Sequence, residues 1–188
     1  MLSHTVPYRA GRSIGDTPEK RSRQEPRTVG GGMALFLSTF VNKVDKKGRV
    51  SVPAPFRAAL TGQTFVGIVA FRSYKVPALE ACGADRMERL SRSMDDLDLF
   101  SQAQDDLAAT IFADAHQLPF DSDGRIVLPE ALAQHANINE QAAFVGRGPM
   151  FQIWNPDAFA RFQDEARGRV KREGATLRLR PRDNGGES

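Results

Sequence analysis

The chain has 188 residues, 40% hydrophobic and 26% charged, a balance suited to one compact domain or two small ones with a real core. No run approaches the roughly 18 apolar residues of a membrane helix, and the single cysteine, Cys82, cannot close an internal disulfide, so a reduced cytosolic setting is expected. The net charge of +3 sits in residues 1–32, which hold six Lys/Arg against three Asp/Glu; residues 33–188 hold twenty of each, so nucleic-acid binding has to rest on local patches.

Residues 1–32 are polar, rich in Gly, Pro and Arg and without periodicity, and are expected to form a disordered N-terminal extension. Their opening stretch lacks the apolar core of a signal peptide. The "VGGG" before Met33 implies consecutive glycine codons that resemble a ribosome-binding sequence, so a mis-assigned start is expected, with the natural start at Met33.

Beyond Met33, "FVNKV" reads as a strand, "DKKG" as a turn, "RVSV" as a strand and "PAPFRAAL" as a short helix with Pro55 in its first turn. "TFVGIVAFR" and "YKVPAL" read as two further strands. Met87, Leu90, Met94 and Leu97 step at helical spacing, and Phe100, Leu107 and Ile111 continue on a second helix after Asp95-Asp96-Leu97-Asp98, where an aspartate can cap. The pattern then returns: strand "HQLPF", turn "DSDG", strand "RIVL", helix "PEALAQHA", and strands "AAFVGR" and "MFQIW". Phe144-Val145-Gly146 also echoes Phe65-Val66-Gly67. The last helix starts with Asn155 as N-cap, Pro156 at the first helical position and Asp157 against the positive helix end. Its Phe159, Phe162, Ala166 and Val170 stripe and the earlier Met stripe read as core or a helix–helix seam. The expected organisation is a first repeat over 33–80, a helical spacer over 81–114, a second repeat over 115–160, and a C-terminal helix and basic tail over 161–188.

The clearest signal is a sentence said twice. "VDKKGRVSVP" at 44–53 returns as "FDSDGRIVLP" at 120–129, 76 positions later. In D-x-x-G-R the glycine suits a tight turn that needs positive φ, as in a type I turn closed by a G1 bulge. Asp45 and Asp121 can accept backbone N–H bonds across their turns, and Arg49 and Arg125 open the returning strands. That pattern admits a purely structural reading, in which Asp holds the turn and pairs with Arg. It also admits a functional one, because an Arg oriented by a carboxylate is a planar fork suited to guanine or phosphate. In the first copy Lys46 and Lys47 fill the turn and Lys43 precedes it, which favours phosphate binding. Lys43, Lys46, Lys47, Arg49 and Arg57 face only Asp45 over residues 43–57, whereas residues 116–136 hold one Arg against three acids. The second turn carries Ser122 and Asp123, so its affinity for DNA is expected to be weaker.

"FLSTFVNKVDKKGRVSVPAPFRAAL" together with "FDSDGRIVLPEAL" resembles the MraZ family, bacterial regulators encoded at the head of the division and cell-wall gene cluster, over about Met33 to Val170. Each copy resembles the AbrB/MazE-type swapped-hairpin DNA-binding element. The resemblance implies an α+β fold in which duplicated AbrB-like swapped β-hairpin units form a pseudo-symmetric, β-barrel-like core with flanking helices. It implies a homo-oligomeric ring that binds double-stranded DNA at tandem promoter repeats and represses its own operon, cytoplasmic and nucleoid-associated, with no metal or organic cofactor. By similarity Asp45, Arg49, Asp121 and Arg125 are the motif residues of the DNA-binding face, and Lys43, Lys46 and Lys47 complete the candidate set.

Enzymatic chemistry finds no support. His4, His116 and His135 stand in no nucleophile or metal pattern, and Asp121-Ser122-Asp123 lacks the length and terminal Glu of an EF-hand loop. "GRGP" at 146–149 reads as a hairpin turn rather than a phosphate loop. Two other readings stay open: an antitoxin-like module that binds a protein partner, and a ring-forming scaffold with incidental DNA binding.

Overall fold

The computed structural model describes residues 34–97, 101–174 and 176. The expected N-terminal extension, the start at Met33, Asp98, Phe100 and the basic tail from 177 onward lie outside them.

Among the described residues the chain forms eight strands and five helices. The first half runs β1 (Thr39–Lys43), β2 (Arg49–Ser51), α1 (Ala54–Ala59), β3 (Gly67–Arg72), β4 (Ala78–Cys82) and α2 (Ala84–Met94). A connecting helix, α3 (Gln102–Leu107), continues into a π-helical turn over Ala108–Phe112. The second half repeats the order: β5 (His116–Pro119), β6 (Arg125–Val127), α4 (Glu130–His135), β7 (Gln141–Gly146), β8 (Phe151–Trp154) and α5 (Pro156–Glu173). None of these helices is long and apolar enough to cross a membrane.

Local chemistry sets the boundaries. Pro53 and Pro129 stand at the N-caps of α1 and α4, where their φ of −53° and −56° suits the entry to a helix. Asn155 Oδ1 accepts from the N–H groups of Asp157 (3.0 Å) and Ala158 (3.1 Å), and α5 ends on Gly174 in the left-handed region. The cap of α3 is Ser101, whose hydroxyl accepts from Gln104 N–H at 3.2 Å, in place of the expected aspartate.

Six strands form one sheet in the order β1-β7-β8-β4-β3-β5, and β2 pairs with β6 in a separate two-stranded ribbon. Every pairing is antiparallel. The sheet does not close: β1 and β5 are its edges, so the expected barrel-like core is corrected to an open sheet with a ribbon beside it. The order reads the same when the two halves are exchanged. β1 pairs with β7 and β5 with β3, so the first strand of each half joins the other half. In the first half, β1 and β2 are joined by a single β-bridge, Val44↔Val50, before diverging.

Register corrects two further expectations. β4 runs on through Glu80, Ala81 and Cys82, beyond the expected strand end at Leu79. Gly67 lies opposite Pro119 and Gln141 opposite Lys43, so Gly67 corresponds to Gln141 and the Phe-Val-Gly echo is not a structural equivalence. Alternating apolar patterns tolerate such slips; cross-strand pairing decides them. At the centre of the sheet Glu80 faces Gln152, and their side chains meet as Gln152 Nε2 donates to Glu80 Oε1 at 2.6 Å. Ser73 Oγ also donates to Glu80 Oε1 (3.1 Å), and Trp154 Nε1 donates to Gln152 Oε1 (2.9 Å), so the buried amide is satisfied.

The main core lies between the sheet, the ribbon, α1 and α4, and holds Val50, Phe56, Ile68, Leu79, Ile126, Leu132, Phe144 and Ile153. Phe56 is its hub, with ring centroids 5.2 Å from Phe36, 5.0 Å from Phe151 and 5.5 Å from Phe40. A second, smaller cluster joins Ala78, Ala143, Val145 and Trp154 to Phe159 and Phe162 of α5. The Met stripe of α2 is half-buried rather than core. Arg72 and Asp114 clamp the π-helical turn to β3 through a side-chain ion pair and a 2.8 Å bond from Arg72 N–H.

Phe56→Ala removes a fully buried ring from this cluster and is expected to cost about 3–5 kcal/mol. Urea unfolding followed by circular dichroism measures it; Phe159→Ala, at a half-buried position, is expected to cost clearly less.

Candidate nucleic-acid interface

The D-x-x-G-R segments build two nearly identical turns. Asp45 Oδ1 accepts from the N–H groups of Lys47 (2.8 Å) and Arg49 (2.9 Å), and Oδ2 accepts from Arg49 Nε at 2.6 Å. Asp121 Oδ1 accepts from Asp123 (2.9 Å) and Arg125 (2.8 Å), and Oδ2 from Arg125 Nε at 2.8 Å. Gly48 and Gly124 take φ of +74° and +71°, and each donates its N–H to the aspartate carbonyl of its turn at 2.9 Å. Side chains other than Gly rarely hold that conformation, which explains the spacing.

The ribbon sets the two turns against each other. Arg49 faces Val127, Val50 faces Ile126 and Ser51 faces Arg125. Leu128 N–H donates to Gly48 C=O (2.8 Å) and Val52 N–H to Gly124 C=O (3.1 Å), so each turn stands at an opposite end of the ribbon, beside the end of the other half's strand. Val50 and Ile126 are buried, and alternation puts Arg49, Ser51, Arg125 and Val127 on the outer face. Val127 is 57% exposed there. Asn42 Nδ2 donates to Ser51 C=O at 2.7 Å and braces the ribbon against β1. A two-stranded ribbon of this kind is a shape that the DNA major groove admits.

The structure thus gathers Asp45, Lys46, Lys47 and Arg49 at one turn, with Lys43 at the adjoining end of β1, and puts Asp121 and Arg125 at the other. Lys43, Lys46 and Lys47 are exposed, with no carboxylate in ion-pair range among the described residues. Arg49 spends only Nε on Asp45, which leaves Nη1 and Nη2 as a two-donor fork. Arg125 spends Nε on Asp121 and Nη2 on Asp123 (2.7 Å). Arg57 does not belong with the first turn as its sequence position suggested. Its Nε donates to Val52 C=O at 3.1 Å, and it packs so closely on the second turn that a Cβ on Gly124 would stand 2.0 Å from Nη1.

Ser51 and Val127 were not among the residues singled out from the sequence, whereas Arg57 and Asp123 entered it only as charges near the first and second turns. Alternation in "RVSV" and "RIVL" carried the signal for the first two. Nothing local signals that Arg57 of α1 reaches the other half's turn.

Backbone donors dominate the electrostatics of the turn. The Arg49 N–H, then the Arg49 guanidinium and the Lys47 N–H, hold Asp45 below the usual carboxylate range. The Arg125 N–H and guanidinium, then the Asp123 N–H, do the same for Asp121. A carboxylate whose folded pKa is depressed contributes stability that is present above its unfolded pKa and is lost as pH falls through the folded value. Both turns are therefore expected to keep their bonds down to pH 3.8 and to loosen only below it. Carbon-13 NMR titration of the Asp45 and Asp121 carboxyls checks this, and midpoints at or above 3.8 would contradict it. Gly48→Val is expected to destabilise the fold, because the new Cβ would need φ near +74° and would lie 3.0 Å from Leu128 O. A thermal melt measures it.

A family model described as "MraZ protein, putative antitoxin-like" matches residues 111–179. A protein of Rickettsia canadensis named transcriptional regulator MraZ is 45% identical over 146 residues, which cover 78% of this chain and 98% of the relative. A Pelagibacter ubique protein of the same name is 43% identical over 153 residues, 81% of this chain and 99% of the relative.

Proposed function

The chain belongs to the MraZ family, and we propose that it is a transcriptional regulator that grips double-stranded DNA with the β2–β6 ribbon, the first turn being the principal contact. One observation carries this reading. Arg49 is held at Nε by Asp45 while its Nη pair stays available, and three unpaired lysines stand beside it. A fixed guanidinium fork can address guanine O6 and N7, and the ammonium groups suit the flanking phosphates.

Each half acts as an AbrB-like swapped-hairpin unit, a reading supported by the exchange of β1 and β5 between halves. One ribbon with so few cations binds weakly and with steep salt dependence. A homo-oligomeric ring that presents several ribbons to tandem promoter repeats gains about 10²–10⁴ in avidity without new contacts. The regulator represses its own division and cell-wall operon and resides with the nucleoid in the cytoplasm.

Fluorescence anisotropy on DNA from upstream of the protein's own gene, against scrambled DNA, tests this. Arg49→Ala is expected to weaken specific binding by ~1–3 kcal/mol. Lys46→Ala and Lys47→Ala are expected to weaken all sequences alike and flatten the salt slope by about one each. Binding indifferent to sequence and to Arg49 would favour an incidental scaffold or an antitoxin-like protein-binding role.

A further inference from the structure

The two turns share backbone geometry but differ in what becomes of their arginines. Position for position, Asp123 stands where the first turn has Lys47, 76 residues earlier. Asp45 and Asp121 each take the Nε of their arginine through one carboxylate oxygen. The second carboxylate is what separates the halves. Asp123 Oδ2 lies 2.7 Å from Arg125 Nη2, so Arg125 is ion-paired with two carboxylates, Asp121 at Nε and Asp123 at Nη2. An acceptor that approaches Arg125 meets two carboxylates around one guanidinium, and any contact at Nη2 competes with Asp123, whereas Arg49 faces one carboxylate beside two lysines.

We propose that Asp123 is a specificity-determining residue: by clamping Arg125 it withdraws the second turn from nucleic acid and makes the ribbon a one-ended reader. The inference rests on the DNA-binding reading above. Three features of the ribbon fit it. The clamp lies on the outer face of the ribbon, where Arg125 is paired with Ser51, so a released guanidinium would emerge on the same face as Arg49. The Asp123 carboxylate is 63% exposed and performs no other bonding role, so its position is not explained by packing. The turn itself is built by Asp121 and by the backbone N–H of Asp123, neither of which requires the Asp123 side chain.

A carboxylate beside an arginine can also aim it rather than sequester it, and the two roles predict opposite results. Asp123→Asn keeps the turn and removes the clamping charge. If Asp123 withdraws Arg125, Asp123→Asn tightens binding to the upstream DNA by about tenfold and steepens the salt slope by about one. The gain then disappears in Asp123→Asn/Arg125→Ala. An equal gain in the Arg125→Ala background would reduce the effect to bulk charge, and unchanged or weaker binding would show that Asp123 aims Arg125 or is idle; each overturns the proposal. Glu140→Gln, another exposed carboxylate, serves as the control for charge alone. The clamp is read without DNA by NMR exchange of the Arg125 guanidinium protons, expected to be slow in the native chain and faster in Asp123→Asn. Loss of the wild-type Arg49 dependence on the same DNA would instead sink the regulator reading itself, so the two failures are separable.

Discussion

The antiparallel pairing of β2 with β6, three residues on each side and centred on Val50 opposite Ile126, is the constraint on which the rest depends. It buries both apolar side chains against the core and turns their neighbours outward. It also ties Gly48 to Leu128 and Gly124 to Val52, so neither turn is held by its own half alone. Two short strands could not hold this register unaided; α1, α4 and the aromatic cluster around Phe56 supply the apolar floor beneath them.

Exchange of strands between halves is repeated at the scale of the sheet. β1 completes the edge beside β7 and β5 the edge beside β3, so unfolding one half strips a strand from the other. At the centre, equivalent positions face each other as Glu80 and Gln152, an acid and its amide. Two carboxylates there would repel; the amide donates instead and passes its own oxygen to Trp154. The two halves share backbone symmetry while their side chains differ.

The same divergence runs through the outer face of the ribbon. One end carries lysines without partners and an arginine tethered by a single nitrogen, and the other carries an arginine between two carboxylates with Arg57 laid over its turn. Backbone bonds to Asp45 and Asp121 are shared by both ends, so the turn conformation is insensitive to the side chains that decide charge. A ligand that meets this face meets one shape with two electrostatic characters.

Much of this was written in the residues. The glycine that must take positive φ, the aspartate two and four residues before its backbone donors, and the proline at the entries of α1, α4 and α5 are local devices, and local devices survive into the fold unchanged. Element order followed from the same signals. Tertiary structure alone decided which strands pair. "FVNKV" and "RVSV" read as one hairpin, yet each prefers a partner from the other half, because only that exchange buries Val50, Ile126 and the sheet's inner face together. It also decided that Gly67 answers to Gln141 rather than Gly146, that Arg57 crosses to the second turn, and that Asp123 closes on Arg125. Those are relations between segments brought together in space or between side-chain rotamers, and a linear pattern carries no term for either.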